Sequence, residues 1–284
     1  MGFAVRPLGA ALGAEVSGVD LSGEMGDDLF RQVHAAFLEH AVLVFRDQDL
    51  TPDEQVAFSR RFGPSERHVL KQFARPDNLD VFLISNVKER GKPKGAIRAG
   101  QFWHSDLSYM SRPTRVSFLH AREVPSRGGD TLFAGMAAAY EALSEAMKGM
   151  LRGRRAVHDY TKVYETFFAR FDDRPALTDE EIAKVSPVEH PVVRTHPDTG
   201  REALYVNPGF TRRIVGLEPD ESDALLDFSF DHTIRPQFVF RHAWTPGDLV
   251  LWDNRAVIHQ ALADYDMAEA RHMHRTSVED DVPI

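Results

Sequence analysis

No cysteine occurs among the 284 residues of this chain. This absence excludes a disulfide framework, a zinc–thiolate site, an iron–sulfur cluster and a thiol nucleophile. A chain without cysteine also suits a reducing compartment. We therefore expect any catalytic chemistry of this protein to depend on other side chains.

Long apolar runs are also absent from the sequence. No stretch approaches the ~20 apolar residues that a helix needs to cross a bilayer. Residues 1–7 lack the positively charged segment followed by an apolar segment that is typical of a secretory signal. We therefore expect a cytoplasmic protein without a membrane partner.

Positive charge is scarce relative to negative charge. The chain has 34 lysine and arginine residues against 43 aspartate and glutamate residues, and its formal net charge is −9. Domains that bind nucleic acid usually carry a basic surface, so this balance argues against a nucleic-acid partner. A small anionic substrate is compatible with it, because a pocket can be locally basic on an acidic protein.

The order of predicted elements indicates the fold class. Helical spacing of apolar residues predicts a helix over 27–40, and Thr51-Pro52-Asp53-Glu54 is a capped helix start. Short strands bounded by turns dominate the second two-thirds of the chain. This pattern favours a mainly β fold with flanking helices, an antiparallel double-sheet barrel or jelly roll, in a single domain over residues 1–284. The polar segment 88–100 is either a mobile lid or an ordinary surface connection.

A histidine and a carboxylate lie close together in the aromatic stretch 101–110. His104 and Asp106 are two residues apart, so on a β-strand their side chains would project from the same face. Two histidines with one carboxylate, leaving open positions, favour a non-haem Fe(II) oxygenase. By itself the His-x-Asp pattern is weak evidence, because most copies are solvated loop residues.

Further candidates lie more than half the chain away. His259 follows a predicted buried strand, and the segment 271–278 alternates like a strand. With a period of two, Arg271 and Arg275 share one face, and the intervening histidines share the other. Arginine suits bidentate recognition of a carboxylate or sulfonate. The alternative is that both arginines pair with acidic residues on a solvated sheet face.

These residues belong to a longer series of motifs. Six motifs occur in order: Trp103-His104-Ser105-Asp106, Gly128-Gly129-Asp130-Thr131, His-Pro-Val-Val-Arg-Thr-His-Pro at 190–197, Leu251-Trp252-Asp253-Asn254-Arg255, His259, and Met273-His274-Arg275. The series closely resembles the taurine and 2,4-dichlorophenoxyacetate dioxygenase family of Fe(II)/2-oxoglutarate enzymes. The resemblance extends from about residue 9 to residue 278.

The resemblance implies a double-stranded β-helix of the cupin-like, jelly-roll type, and it implies a set of cofactor residues. His104, Asp106 and His259 match the three Fe(II) ligands. Arg271 matches the arginine that binds the distal carboxylate of 2-oxoglutarate, and Thr131 matches the hydroxyl that assists it. The implied reaction consumes O2 and 2-oxoglutarate, releases succinate and CO2, and inserts oxygen into a C–H bond of the main substrate.

The resemblance also implies residues that contact the main substrate. Arg275 matches a position that often binds the substrate's anionic group, His68 and Phe210 match pocket residues, and Lys71, Tyr164 and Gly100 replace residues of the taurine pocket. The anion-binding side is thus kept and the amine-binding side is altered. We therefore expect a small organic anion as substrate, such as a sulfonate, sulfate ester or aryloxyalkanoate, often cleaved next to its heteroatom, with taurine a poor substrate.

Two alternative functions and several subsidiary expectations complete the sequence interpretation. The same cofactor chemistry could act on an amino-acid-derived metabolite, by desaturation or oxidative processing, or the chain could be a non-catalytic β-barrel binding protein. A zinc hydrolase would leave the paired arginines unexplained. We interpret Asn254 and Arg255 as structural support near the iron. Relatives often form dimers or tetramers, so we expect a homo-oligomer.

Overall fold

The computed structural model describes residues 2–68, 71–171, 177–178, 182–183 and 185–284. The strands are β1 (Ala4–Pro7), β2 (Ala14–Ser17), β3 (Val42–Phe45), β4 (Ala74–Arg75), β5 (Asn78–Ser85), β6 (Lys88–Glu89), β7 (Lys92–Pro93), β8 (Thr114–Glu123), β9 (Thr131–Gly135), β10 (Arg155–His158), β11 (Val188–Pro191), β12 (Val193–Thr195), β13 (Glu202–Leu204), β14 (Thr211–Ile214), β15 (Val239–His242), β16 (Leu249–Asp253), β17 (Val257–Ala261) and β18 (His272–Glu279). The helices with described bounds are α1 (Asp27–His40), α2 (Pro52–Arg60), α3 (Met136–Glu141), α4 (Glu145–Leu151), α5 (Thr161–Thr166) and α6 (Pro219–Thr233).

Two facing sheets form the centre of the molecule. The larger sheet has the strand order β1-β2-β3-β16-β8-β18-β5-β4, and the smaller has the order β15-β9-β17. Phe133 of β9 and Trp252 of β16 meet between them, with ring centroids 5.5 Å apart. This arrangement agrees with the double-sheet architecture that the strand pattern predicts. Among the described residues, no helix combines the length and the apolar composition needed to cross a bilayer.

Helices α1 and α2 cover the outer face of the larger sheet. Phe62, just after α2, packs its ring against those of Phe37, Phe58 and Phe118 at centroid distances of 5.4, 5.6 and 5.3 Å. These edge-to-face contacts join both helices to β8. Helix α2 begins with the predicted capping box, in which the Thr51 side chain accepts a hydrogen bond from the backbone N–H of Glu54.

Local structure differs from the sequence prediction in two segments. The apolar pattern of 136–151 predicts one helix, but α3 ends at Glu141 and α4 begins after Ser144, whose side chain caps it by accepting from the backbone N–H of Met147. The polar segment 88–100 predicts a loop, but it contains the β6–β7 hairpin, and Ala96 donates a backbone hydrogen bond to Leu83 of β5. Local capping and backbone pairing override the composition of these segments.

A group of histidines lies on the outer face of β18. His274 is buried beside His272, with ring centroids 5.1 Å apart, and pairs in register with His120 of β8. Burial lowers the pKa of His274 to about 3, with further repulsion from His272 and Arg75, then from Arg122 and His120. The neutral form of this imidazole is therefore the form that the folded state favours.

This burial predicts a loss of stability in acid. The unfolded chain protonates His274 near its ordinary pKa of 6.5, whereas the folded chain does so near 3. The stability contributed by the neutral side chain is thus complete above about pH 6.5 and is lost as the pH falls toward 3. Between pH 7 and pH 5, the wild type should lose about 2 kcal/mol more unfolding free energy than His274→Gln. Urea unfolding at each pH measures this difference, and equal losses in both proteins would contradict it.

Candidate active site

His104 and His259 come together through their backbones. Each donates its backbone N–H to the carbonyl of the other, at 3.0 and 2.8 Å, and their ring centroids lie 4.2 Å apart. The prediction that His104 and Asp106 share a strand is wrong. His104 forms a single β-bridge, and the chain then turns through residues 106–110, with Leu107 in the left-handed region at φ 51°. The turn, rather than a strand, brings the carboxylate beside the imidazoles.

The three predicted iron ligands converge on one point. Asp106 Oδ1 lies 3.6 Å from His104 Nε2, and Asp106 Oδ2 lies 3.8 Å from His259 Nε2. One ligand atom from each of the three residues lies within 4.8 Å of the others, and all three residues are buried. Two imidazole nitrogens and one carboxylate oxygen in this arrangement fit a non-haem Fe(II) site.

The surrounding charges favour the protonation states that bind a metal. Burial alone would raise the pKa of the Asp106 carboxyl, but Arg275, His259 and His104 outweigh burial and hold it well below its ordinary value. Burial, with the neighbouring His104, lowers the pKa of His259 well below its ordinary value. His104 Nδ1 donates to the carbonyl of Phe102 at 2.8 Å, which leaves Nε2 free to coordinate. The carboxylate is therefore charged and both imidazoles can act as ligands.

A buried polar network holds Asp106 in place. Ser117 Oγ donates to Asp106 Oδ2 at 2.6 Å, and Asn254 Nδ2 donates to Ser117 Oγ at 3.1 Å. Asn254 Oδ1 accepts from the backbone N–H of Asp106 at 3.0 Å and from Trp252 Nε1 at 3.2 Å. Asn254 thus supports the Asp106 ligand through its backbone N–H and through Ser117. Its neighbour Arg255 instead forms salt bridges with Asp253 and Asp198. Ser117 lies on β8, outside the motifs singled out in the sequence.

A cavity opens onto two of the three ligands, His104 and Asp106. His104, Asp106, His68 and Arg275 lie in its wall. The aromatic residues of the wall are Phe82, Phe102, Tyr109, Tyr160, Phe168 and Phe210. Arg275 is 8% exposed and donates through Nη1 to Asp106 Oδ1 at 3.0 Å, and its Nε is buried without a hydrogen-bond partner among the described residues. One N–H group next to the metal ligands is therefore available to an anion.

Of the four predicted substrate residues besides Arg275, two line this cavity and two lie outside its wall. His68 lies in the wall with its ring 4.4 Å from that of Phe82, and Phe210 lies 5.9 Å from the ring of His104. Lys71 is exposed, in a short 3-10 helix outside the cavity wall. Tyr164 lies outside the wall too, at 5.2 Å from the ring of Phe168.

Several wall residues lie outside the set of predicted site residues. Tyr109 lies three positions after Asp106, in the stretch that carries the ligand motif, and this proximity was a usable signal. Tyr160 and Phe168 come from the aromatic segment around α5, which lacks a clean periodicity. Phe82 lies on β5, where its apolar character is equally compatible with the core. Tyr160, Phe168 and Phe82 reach the cavity wall only through the fold of the chain, and no local sequence pattern identifies them.

A second cavity adjoins the first and contains Arg271. Ala96 and Ala99 line both cavities, and Arg98 and Tyr265 lie beside Arg271 in the second. Arg271 is 5% exposed, its Nε donates to the carbonyl of Gly129 at 3.2 Å, and its Nη2 is buried without a partner among the described residues. A buried guanidinium without a carboxylate partner is costly, so this site fits the distal carboxylate of 2-oxoglutarate.

Thr131, the other predicted cofactor residue, is buried behind this second cavity. It pairs in register with Ala261 of β17, which lines the cavity, whereas Thr131 itself does not. Its Oγ1 accepts a hydrogen bond from Trp244 Nε1 at 3.0 Å. Trp244 lies outside the six motifs of the sequence.

The network around Asp106 predicts the effect of removing the Ser117 hydroxyl. Ser117→Ala leaves Asp106 Oδ2 without its donor, so the carboxylate should be less well oriented and anaerobic Fe(II) affinity should fall by about 10- to 100-fold. Ser105→Ala is the matched control, because Ser105 Oγ donates to the carbonyl of Asn254 and does not contact the carboxylate of Asp106. Equal Fe(II) affinities for the two variants, measured by titration, would refute the supporting role.

Gly100 gives a second prediction at the metal ligands. It has φ 70°, and a Cβ at this position would lie 3.0 Å from His104 Cε1. Gly100→Ala should therefore displace the imidazole and weaken Fe(II) binding. Gly91→Ala is the matched control, because Gly91 has φ 80° and its Cβ would meet nothing within 4 Å. Titration of both variants separates the contact from backbone strain, and the idea fails if both bind Fe(II) like the wild type.

Comparisons with known proteins agree with this geometry. The model of the family described as "Taurine catabolism dioxygenase TauD, TfdA family" matches residues 4–277. Pentalenolactone F synthase of Streptomyces arenae is 37% identical over 98% of this chain and 96% of its own length. The alpha-ketoglutarate-dependent 2,4-dichlorophenoxyacetate dioxygenase of Cupriavidus pinatubonensis is 35% identical over the full length of both chains.

Solved structures show the same similarity. A taurine dioxygenase from Burkholderia xenovorans superposes with a TM-score of 0.84 at 35% identity, covering 100% of this chain and 91% of its own. The protein AAD-2, in complex with Mn(II) and N-oxalylglycine, has a TM-score of 0.84 at 33% identity and covers 100% of this chain and 99% of its own. These matches confirm the predicted family, fold class and cofactors. The chain therefore belongs to the TauD/TfdA family, with a jelly-roll fold, and is a dioxygenase dependent on Fe(II), 2-oxoglutarate and O2.

Proposed function

We propose that this enzyme oxidises a C–H bond of a small organic anion that has an apolar or aromatic body. The observation that carries the proposal is Arg275, whose guanidinium reaches both the cavity and the carboxylate of Asp106. An anionic group bound to Arg275 would hold the adjacent carbon next to the metal ligands. Positioning of this kind can supply a large part of the rate enhancement.

We propose that His104, Asp106 and His259 hold the iron, and that Arg271 and Thr131 hold the distal carboxylate of 2-oxoglutarate. When bound, iron and 2-oxoglutarate supply the oxidant derived from O2, with succinate and CO2 as products. The Nη2 atom of Arg271, which has no hydrogen-bond partner in the described part of the chain, supports the second assignment, since a carboxylate would satisfy it. The adjoining cavities would then keep the co-substrate and the main substrate side by side.

The wall of the first cavity favours one class of substrate. Six aromatic side chains can exclude water and pack against an apolar body, and the arginine can bind a carboxylate or sulfonate. Relatives are named for 2,4-dichlorophenoxyacetate and phenoxypropionate, and another is named an alkylsulfatase. We therefore propose an aryloxyalkanoate, sulfonate or sulfate ester, with the aromatic wall favouring the first. Taurine, which has a charged amine and no apolar body, should be a poor substrate.

Several expectations from the sequence remain predictions. The substrate contacts of Lys71 and Tyr164, the single domain over residues 1–284 and the cytoplasmic location belong to this group. The same is true of the homo-oligomeric state, as a dimer or tetramer. Sedimentation equilibrium of the purified chain measures the last of these.

Succinate release tests the proposed reaction. The Fe(II)-loaded enzyme should be incubated in air with 2-oxoglutarate and a panel of aryloxyalkanoates, alkyl sulfonates including taurine, alkyl sulfates and N-substituted amino acids. We expect an aryloxyalkanoate to raise succinate release well above the background without substrate, and taurine to raise it little. Stimulation only by N-substituted amino acids would instead support an amino-acid-derived substrate.

Replacing Arg275 tests how the substrate is bound. Arg275→Ala should raise the apparent KM for the best substrate by roughly 10-fold or more, because a charge-assisted hydrogen bond is lost. Arg275→Lys keeps the charge and should show a smaller effect, and the exposed Arg60→Gln is the control. Iron content must be measured in each variant, because Arg275 also contacts Asp106. An unchanged KM in an iron-loaded Arg275→Ala enzyme would rule out the anion-binding role.

A further inference from the structure

We infer that Trp244 is a positioning residue for 2-oxoglutarate, because its indole N–H orients the Thr131 hydroxyl as a donor to the distal carboxylate. The inference rests on the proposed roles of Thr131 and Arg271. It assigns a function to a tryptophan that lies outside both cavity walls and touches neither the metal ligands nor Arg271 in any described hydrogen bond.

The position of Thr131 in the sheet supports a role inside the fold. Thr131 is the first residue of β9, and its side chain shares a face with that of Phe133. The ring of Phe133 lies 6.1 Å from that of the proposed iron ligand His259 and 5.5 Å from that of Trp252. Thr131 therefore faces the space between the two sheets, where the metal ligands lie.

The same stretch of chain also contacts Arg271. Gly129, two residues before Thr131, accepts a hydrogen bond from Arg271 Nε at 3.2 Å. A Cβ at Gly129 would lie 3.3 Å from the same Nε atom, so the backbone and the guanidinium are in close approach. A carboxylate bound to Nη2 of Arg271 would thus lie close to the start of β9.

The hydrogen bond between Trp244 and Thr131 restricts the hydroxyl. Thr131 Oγ1 accepts from Trp244 Nε1 at 3.0 Å, and both residues are buried. An indole N–H can only donate, whereas a hydroxyl has one proton and two lone pairs. The bond therefore occupies one lone pair and leaves the hydroxyl proton to point elsewhere. A carboxylate only accepts, so this is the orientation that its binding requires.

Trp244 is itself held firmly by its surroundings. Its ring packs edge-on against that of His242, at a centroid distance of 4.5 Å and an angle of 88°. His242 pairs in register with Thr131 and forms a hydrogen bond with Asp248 at 3.1 Å. Asp248 also accepts from the backbone N–H and the hydroxyl of Thr245, at 2.8 Å each. Asp248 thus binds both His242 and Thr245, on either side of Trp244, and this turn holds the indole N–H toward Thr131.

Binding measurements on two ligands test the inference. The affinities of 2-oxoglutarate and of the monocarboxylate 2-oxobutyrate should be measured calorimetrically on Mn(II)-loaded protein without the main substrate. Trp244→Phe keeps an aromatic ring but removes the indole N–H, so it should weaken 2-oxoglutarate binding by about 5- to 20-fold. It should leave 2-oxobutyrate unchanged, because that ligand has no distal carboxylate to reach Thr131.

A second variant, at Thr131 itself, tests the same hydrogen bond from the other side. Thr131→Val should weaken 2-oxoglutarate at least as much as Trp244→Phe, and adding Trp244→Phe to it should cause no further loss, since the two residues act through one hydroxyl. Equal 2-oxoglutarate affinity for Trp244→Phe and wild type would overturn the inference, and so would an equal loss for both ligands or full additivity in the double variant. Absence of 2-oxoglutarate binding to the wild type would instead refute the proposed function.

Discussion

Two backbone hydrogen bonds between His104 and His259 bring together parts of the chain that lie far apart in the sequence. The pair is an isolated bridge, so the bond geometry rather than an extended sheet fixes the distance between the two imidazoles. The position of Asp106 depends on this pair, because the turn that follows His104 brings its carboxylate beside the two imidazoles. Ser117 and Asn254 then orient that carboxylate. A small shift of β17 against residues 102–104 would separate the ligands before any side chain changed.

Much of the fold could be predicted from the sequence because its signals are local. The capping box at Thr51 and the apolar run of β16 each depend on neighbouring residues, and both occur as predicted. The three candidate ligands follow from the resemblance of the motif series to the family, and the structure brings one ligand atom of each within 4.8 Å of the others. The strand assumed for His104 and Asp106 was wrong, because a left-handed Leu107 turns the chain at that point, and no residue type in the motif specifies such a turn.

The cavity wall was harder to predict, because it is assembled from segments that are distant in sequence. His68, Phe82, Tyr109, Phe168 and Phe210 come from separate elements, and an aromatic residue in any of them is equally compatible with an ordinary core. The placement of Lys71 illustrates the same difficulty. A lysine at position 71 can occupy a pocket or solvent depending on one short 3-10 helix, and here it is exposed.

Strand β18 fixes the backbone distance between Arg271 and Arg275. Arg271 immediately precedes the strand and Arg275 lies within it, so roughly 13 Å of extended backbone separates the two guanidinium-bearing residues. Each faces a different cavity. Under the proposed roles of Arg271 and Arg275, the distance between their two anions would thus be set by the backbone rather than by the substrate. Substrates of different length would then be accommodated by the aromatic wall, whose residues come from segments separate from β18.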